Sequence, residues 1–309
     1  MKTYLVTGAA GFIGAAIAKR LIQAGNRVVS IDNMSTGFKK SVPDGVEMIE
    51  GGCEEPEIVK KISKNKFDCV MHVAGQSSGE ISFDDPVYDL QTNTQSTLLL
   101  LKLCLEQGCK NFVYASSMSV YGEQESQPVS ETAVVIPKTF YAVGKLASEQ
   151  YMRIYSKLGL RATALRLFNV YGNGQNMGNL RQGMVSIFLA QAIKDHFIHV
   201  RGSSERFRDF VHVDDVVRAF LNASELEGKG YGHFNIGTGK KTEVGQLVRI
   251  IQETIPYDVD CKFEGNTPGD TFGIYADVAK AASGLNWEPE VTLKEGMKDM
   301  VEWAQSLTQ

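Results

Sequence analysis

The sequence predicts an α/β protein, a doubly wound parallel sheet with a smaller, mixed C-terminal lobe. Three observations predict it. Short β-branched runs alternate with helical patterns over the first two thirds of the chain, a glycine-rich turn joins the first run to the first helix, and the rhythm changes beyond Gly172. Such alternation builds βαβ units, whose parallel strands are covered by helices on both faces. The runs at 4–7, 27–31, 68–73, 111–115 and 162–167 read as buried strands, and 12–24, 56–63, 86–106 and 141–157 read as helices. Residues 172–180 are rich in glycine and asparagine, where regular structure is not expected. Helical patterns then recur at 184–194, 213–224, 243–253 and 293–306. The expected division places 1–172 in the sheet domain, with a return to it around 210–237, and 173–309 mainly in the second lobe.

Composition narrows the function classes. The chain has 309 residues, 43% of them apolar and 22% charged, which excludes a disordered chain because enough apolar surface is available to offset ordering entropy. A net charge of −4 gives no electrostatic case for nucleic acid or an anionic membrane, so any anionic ligand must be held by local groups. The five cysteines, Cys53, Cys69, Cys104, Cys109 and Cys261, include no CxxC pair and read as reduced thiols. His196 and His199 stand three apart with no third ligand nearby, so no metal is expected, and Lys39-Lys40 reads as a solvated turn. The first 25 residues superficially look like a signal peptide, but Gly8, Gly11 and Gly14 interrupt the would-be apolar core. The expected location is the cytoplasm.

Those glycines have a chemical reading. In Thr7-Gly8-Ala-Ala-Gly11-Phe12-Ile13-Gly14 a glycine turn leads from a strand into a helix, so backbone can approach a pyrophosphate while the helix N-terminus offers free N–H groups. The spacing is GxxGxxG, and a tight turn with close helix packing would use the same residues. Asp32 strengthens the ligand reading. It ends the second strand near the offset expected for a carboxylate on an adenosine ribose, and it would repel a 2′-phosphate. Asn33 follows it rather than an arginine, which favours NAD over NADP. The plainer alternative is that Asp32 opens an Asp-Asn turn. Together these features predict a Rossmann-type sheet.

A second constellation lies downstream. Tyr141 and Lys145 form a YxxxK at the start of a helix and share one face, and the Ser116-Ser117-Met118-Ser119 run lies just past the end of a strand. Ligands of open parallel sheets bind at that edge. A tyrosine is a poor base at neutral pH, but a neighbouring ammonium and a nicotinamide cation would both stabilise its phenolate. A lone YxxxK is common on exposed helices; beside the glycine turn and the serine run it is informative.

With these motifs in order, and with His72-Val-Ala74-Gly75, Arg166-Leu-Phe-Asn169-Val-Tyr-Gly172, Arg208-Asp-Phe-Val-His-Val-Asp-Asp215 and Asn235-Ile-Gly-Thr-Gly239, the sequence resembles the extended short-chain dehydrogenase/reductase family. Within it, the resemblance is to the NAD-dependent nucleotide-sugar epimerases and dehydratases, in the manner of a UDP-glucose 4-epimerase. The resemblance implies NAD as cofactor, held by Gly8, Gly11, Phe12, Ile13, Gly14, Asp32, Asn33, Ser35, Thr36, Gly37, Ala74, Asn93, Tyr141 and Lys145. It implies Tyr141 as general base, Lys145 on the nicotinamide ribose, Ser117 on the sugar 4-hydroxyl, Asn169 and Arg208 on the diphosphate, and Asp270 on the nucleoside. For Arg208 an ion pair with Asp209 or Asp214 is the plainer alternative.

Several positions depart from the family pattern. Met118 and Ser119 stand where 4,6-dehydratases carry Asp-Glu, and the decarboxylases a glutamate at the second position, which leaves reversible oxidation at C4. Gly52 stands in place of an aspartate that contacts adenine, Thr267 in place of a second diphosphate arginine, and Gly144 in place of a common serine. Ile274 matches a position that gates the sugar 2-substituent, or is simply a packing residue. The expectation is a nucleotide-sugar 4-epimerase acting on a UDP-hexose or UDP-N-acetylhexosamine. The alternatives are a 4-ketoreductase and a non-catalytic NAD-binding protein. The resemblance also implies a homodimer through helices 86–106 and 141–157, against a monomer with those faces covered.

Overall fold

The computed structural model describes residues 1–265 and 271–307. The chain begins with β1 (Thr3–Thr7), α1 (Phe12–Gln23), β2 (Arg27–Asp32), β3 (Val46–Glu50), α2 (Pro56–Ile62) and β4 (Cys69–His72). It continues with α3 (Pro86–Leu90), a π-helical turn Gln91–Gln95, α4 (Ser96–Gln107), β5 (Asn111–Ser117), α5 (Phe140–Lys157) and β6 (Arg161–Leu167). After β7 (Asn169–Tyr171) come α6 (Met184–Asp195), β8 (Phe197–Arg201), β9 (Phe207–Arg208), β10 (Phe210–His212) and α7 (Val213–Ser224). Last are β11 (Gly230–Ile236), β12 (Thr242–Glu243), α8 (Val244–Thr254), β13 (Asp260–Glu264), α9 (Ala279–Leu285) and α10 (Leu293–Ser306).

Seven of the described strands form one sheet in the order β11-β6-β5-β4-β1-β2-β3, with every neighbouring pair parallel. This is the predicted doubly wound sheet. Its central strands are apolar on both faces because both are covered. In β1, Tyr4 and Val6 pack beneath α1 and α7, whereas Leu5 between them packs on the other face with residues of α2 and α4. The edge strands β3 and β11 lack that signature. Every residue of β3 is exposed or half-buried, and β11 opens with Gly-Tyr-Gly-His, all four half-buried. The helix expected over 86–106 is interrupted by the π-helical turn.

The chain order reverses between β1 and β4, and the crevice this leaves lies at the carboxyl ends of the strands. A second apolar cluster joins α6, α8 and α10 to β8 and β10, around Leu189, Leu247 and Met300. This lobe stands over the same sheet edge, because β6 runs on through Phe168 into β7, which pairs with β10. Among the described residues no helix is long and apolar enough to cross a membrane. All five cysteines are free, with Cys261 exposed and the others buried.

His72 ends β4 inside the core, its ring between Thr7 Oγ1 at 2.8 Å and Ser96 Oγ at 3.1 Å. Burial, reinforced by the charge of Lys145, lowers its pKa from 6.5 to about 3. Between those values the unfolded chain binds a proton at this residue and the folded chain does not, so stability falls as pH drops through that window. The contribution is at most about 1.4 kcal/mol per pH unit. Urea unfolding at several pH values should therefore show a steeper acid loss for the wild type than for His72→Gln; equal slopes would refute the assignment.

Candidate active site

The glycine turn is built by contacts that leave no room for side chains. Gly8 has φ +80°, its N–H donates to Ile31 O at 2.9 Å, and its carbonyl accepts from Gly11 N–H at 3.0 Å. A Cβ on Gly14 would lie 2.1 Å from that carbonyl oxygen, so only glycine lets α1 start this close to β1. The N-cap, Gly11, has no side chain to cap the first turn, which leaves its N–H groups for an anion. Asp32 accepts Ala10 N–H at Oδ2 (2.9 Å) and Met34 N–H at Oδ1 (2.8 Å). Each oxygen retains acceptor capacity for a ribose hydroxyl.

One cavity is lined by Gly8, Gly11, Phe12, Ile13, Gly14, Asp32, Asn33, Ser35, Thr36, Gly37 and Ala74. Asn93 lies behind its wall. It donates to Gln76 O and Asp89 Oδ2, while its own Oδ1 is buried without a partner against Gly75, which lines the cavity. A cradle that a Cβ would fill, an open helix N-terminus and a carboxylate at its rim fit a dinucleotide.

A second cavity shares Phe12, Ile13 and Val73 with the first and is lined by Ser117, Tyr141, Lys145 and Asn169. Ser117 ends β5, and Tyr141 and Lys145 occupy successive turns of α5, which is capped by Thr139 Oγ1 on Ala142 N–H at 3.1 Å. Lys145 Nζ donates to Ala115 O at 2.9 Å and lies 5.5 Å from the Tyr141 ring centre. Burial pushes Tyr141 up to about 12; a hydrogen bond to Ser117 opposes this and the nearby Asp89 adds to it. Burial also lowers Lys145 to about 8 against the pull of Asp89, and raises Asp89 itself to about 6. Burial therefore keeps the phenol protonated at neutral pH, and positive charge beside it is what would release the proton.

Asn169 begins β7 and presents a buried Oδ1 without a hydrogen-bond partner. Arg208 is buried outside the lining of the second cavity, and donates to the carbonyls of Phe207 (2.7 Å), Thr271 (2.9 Å) and Phe272 (3.2 Å). Asp209 instead accepts from Thr238, Gly239 and Ala276, and Asp214 lies 3.6 Å from His212. Asp270 and Thr267 lie outside the described residues.

Comparison with known proteins places this arrangement. The sequence model of the NAD dependent epimerase/dehydratase family matches residues 4–237. The chain belongs to that family. A UDP-glucose 4-epimerase of Mycolicibacterium smegmatis is 33% identical over 312 aligned positions, covering 99% of both chains. The crystal structure of a UDP-glucose 4-epimerase from Thermotoga maritima with UDP-glucose matches at TM-score 0.95 and 35% identity, over 99% of this chain and 100% of that one. A UDP-N-acetylglucosamine 4-epimerase from Methanobrevibacter ruminantium, in complex with UDP-N-acetylmuramic acid, matches at TM-score 0.93 and 28% identity over 99% of each chain.

Within this NAD-dependent family the departures now have surroundings. Met118 and Ser119 line the second cavity. Ile274 lines neither cavity; it is buried with Val120, Tyr121, Val129 and Phe168, as a packing residue. Gly144 lies where a Cβ would meet Asn93, Asp89 and Thr94 at 3.4 Å, so a serine there would fit. His196 stacks on Tyr257, His199 pairs with Glu264 at 2.9 Å, and Lys39 and Lys40 sit on a short exposed turn. The loop after β7 also belongs to the site, although no motif marks it: Gln182 Nε2 donates to Ser77 Oγ at 2.6 Å and Asn176 Nδ2 to Thr36 O at 3.4 Å across the first cavity.

Glu149 is the other residue the motifs did not disclose, although it falls on the α5 face of Tyr141 and Lys145. Fully buried, it accepts from Ser116 Oγ (2.6 Å), Arg166 Nε (3.0 Å), Arg166 Nη2 (2.7 Å) and Tyr231 OH (3.1 Å). This ties β5, β6 and β11 to the helix that carries Tyr141 and Lys145. Glu149→Ala would leave the Arg166 charge buried without its partner, with an expected loss of about 3–5 kcal/mol in urea unfolding. A change below about 1 kcal/mol would show that the pair is not the clamp described.

Proposed function

We propose that the chain interconverts UDP-hexoses at C4 with NAD as a resident cofactor. The observation that carries this reading is the meeting of Ser117, Tyr141 and Lys145 in a cavity that opens into the dinucleotide cradle and has no carboxylate among its described lining residues. Without an acid and base of that kind, elimination of water has no residues to perform it. The names of the relatives supply the nucleotide, UDP, and a hexose or N-acetylhexosamine as the sugar.

In this reading Ser117 orients the 4-hydroxyl and Tyr141 takes its proton. NAD, held by the glycine turn and Asp32, would supply the reversible hydride acceptor for C4. Lys145 holds its charge beside Tyr141 and keeps the phenolate form accessible. The 4-keto sugar turns over in the cavity, and Tyr141 returns the proton to the oxygen of the opposite epimer. Asn169 and Arg208 would hold the diphosphate, and Asp270, which lies outside the described residues, the nucleoside. Residues 1–172, with the return at 210–237, would carry the cofactor, and 173–309 mainly the nucleotide sugar. Free thiols and the incorporation of residues 3–7 into the central sheet support a cytoplasmic protein.

Proton NMR of the protein with UDP-glucose or UDP-N-acetylglucosamine, without added reduced cofactor, should reveal the C4 epimer. Tyr141→Phe should slow its appearance about 10²–10⁴-fold. Turnover only with stoichiometric reduced cofactor would identify a ketoreductase instead.

The same reading includes a homodimer. Val87 and Leu90 on α3 and Phe140, Val143 and Ile154 on α5 are each about half exposed or more, and Phe83 packs edge-on against Phe140 at 5.4 Å. Such a stripe on two adjoining helices supports pairing with a second copy. Sedimentation equilibrium should give twice the chain mass, and Leu90→Asp with Val143→Asp should give the monomer. An unchanged mass in the double variant would place the interface elsewhere.

A further inference from the structure

The segment after β3 puts an acidic side chain where the cofactor cavity ends. Gly51 N–H donates to Asp32 O at 3.0 Å, so residues 51–54 run beside the tip of β2. Gly51, Gly52, Cys53 and Glu54 line the same cavity as Asp32 and the glycine turn. A dinucleotide whose pyrophosphate meets the start of α1 and whose ribose meets Asp32 continues, beyond that ribose, toward β3. Its adenine therefore reaches Gly51–Glu54.

Glu54 is folded back over Gly52. An ideal Cβ on Gly52 would fall 2.5 Å from Glu54 Cδ and 2.6 Å from Oε2, so the carboxylate occupies the space that any side chain at position 52 would need. Among the described residues that carboxylate has no hydrogen-bond partner, although its backbone is held, with Glu54 O accepting Gln95 Nε2 at 2.8 Å. The neighbouring Glu55 is differently employed, its Oε1 accepting Gly52 N–H at 2.6 Å. One anchored segment thus presents one carboxylate with unused acceptors to the far end of the cavity.

We propose that Glu54 reads the adenine base, accepting a hydrogen bond from its exocyclic 6-amino group. This rests on the cofactor lying in this cavity with its ribose at Asp32. The chemistry is selective at position 6: a carboxylate can only accept, so it pairs with a 6-amino group and is repelled by a 6-oxo group, whose purine donates only from the neighbouring N1. Gly52 is part of the device, because its missing side chain is what admits the longer Glu54.

Nicotinamide hypoxanthine dinucleotide, which carries a 6-oxo group in place of the amine and a proton on N1, tests this contact. The full-length protein is equilibrated with an equimolar mixture of that dinucleotide and NAD, and the retained species are quantified. The wild type should retain NAD by about tenfold or more, as expected for a hydrogen bond to a charged acceptor. Glu54→Gln, whose amide can donate or accept, should bring the ratio close to one, and Glu54→Ala should lower it by removing the carboxylate. A ratio unchanged in both variants, or a wild type that retains the two equally, overturns the proposal. Asp32→Ala serves as the reference: if it weakens both dinucleotides while the Glu54 variants leave the ratio alone, only the base contact fails. If Asp32→Ala weakens neither, the placement of the cofactor fails with it.

Discussion

A fully buried ion pair holds together the part of this molecule that carries Ser117, Tyr141 and Lys145. Glu149 and Arg166 meet at 2.7 Å with almost no exposure to water, and removing two charges from solvent is costly unless their remaining hydrogen-bonding capacity is also satisfied. Here Ser116 and Tyr231 complete the carboxylate, whereas Arg166 Nη1 is buried without a hydrogen-bond partner and the guanidinium lies over the Tyr121 ring at 4.8 Å. The contacts join three strands to α5. Ser116 adjoins Ser117, and Glu149 lies two turns along from Tyr141, so the same carboxylate fixes both sides of the second cavity. An apolar core of equal volume would not impose that register, because dispersion contacts are not directional.

Burial tunes Tyr141 and Lys145 in a direction that by itself opposes the proton transfer proposed for them. Tyr141 is pushed up and Lys145 down, each toward its neutral form. Asp89, also in this neighbourhood, raises Tyr141 and supports the charge of Lys145, so its effect divides between the two. The geometry is prepared in advance, whereas the acid–base balance depends on charge brought next to the phenol. This fits a site whose cofactor stays bound, since the conditions for proton removal then exist only in the loaded enzyme.

Much of the fold and part of the site are legible in the sequence. The buried central strands announce themselves because two covered faces demand continuous apolar runs. Strands β3 and β11 do not, since an edge strand tolerates polar and small residues on its open side. The glycine turn, Asp32 and the YxxxK are legible because each is short-range: a turn, a strand end, one helical repeat. Glu149 escapes such reading because its partners lie 33, 17 and 82 residues away. Gln182 reaches Ser77 across 105 residues, from a loop whose composition looks like any other.

The sequence by itself determines the order of the buried central strands and their helices, the family, and the motifs from which the site is proposed. Tertiary structure decides what each of those groups faces. It buries Ile274 among apolar side chains away from both cavities, turns Arg208 toward the carbonyls of Phe207, Thr271 and Phe272, and folds Glu54 over Gly52. The physical reason is range. Propensity and periodicity act over a few residues, but desolvation and hydrogen-bond satisfaction are settled only when distant segments close on one another.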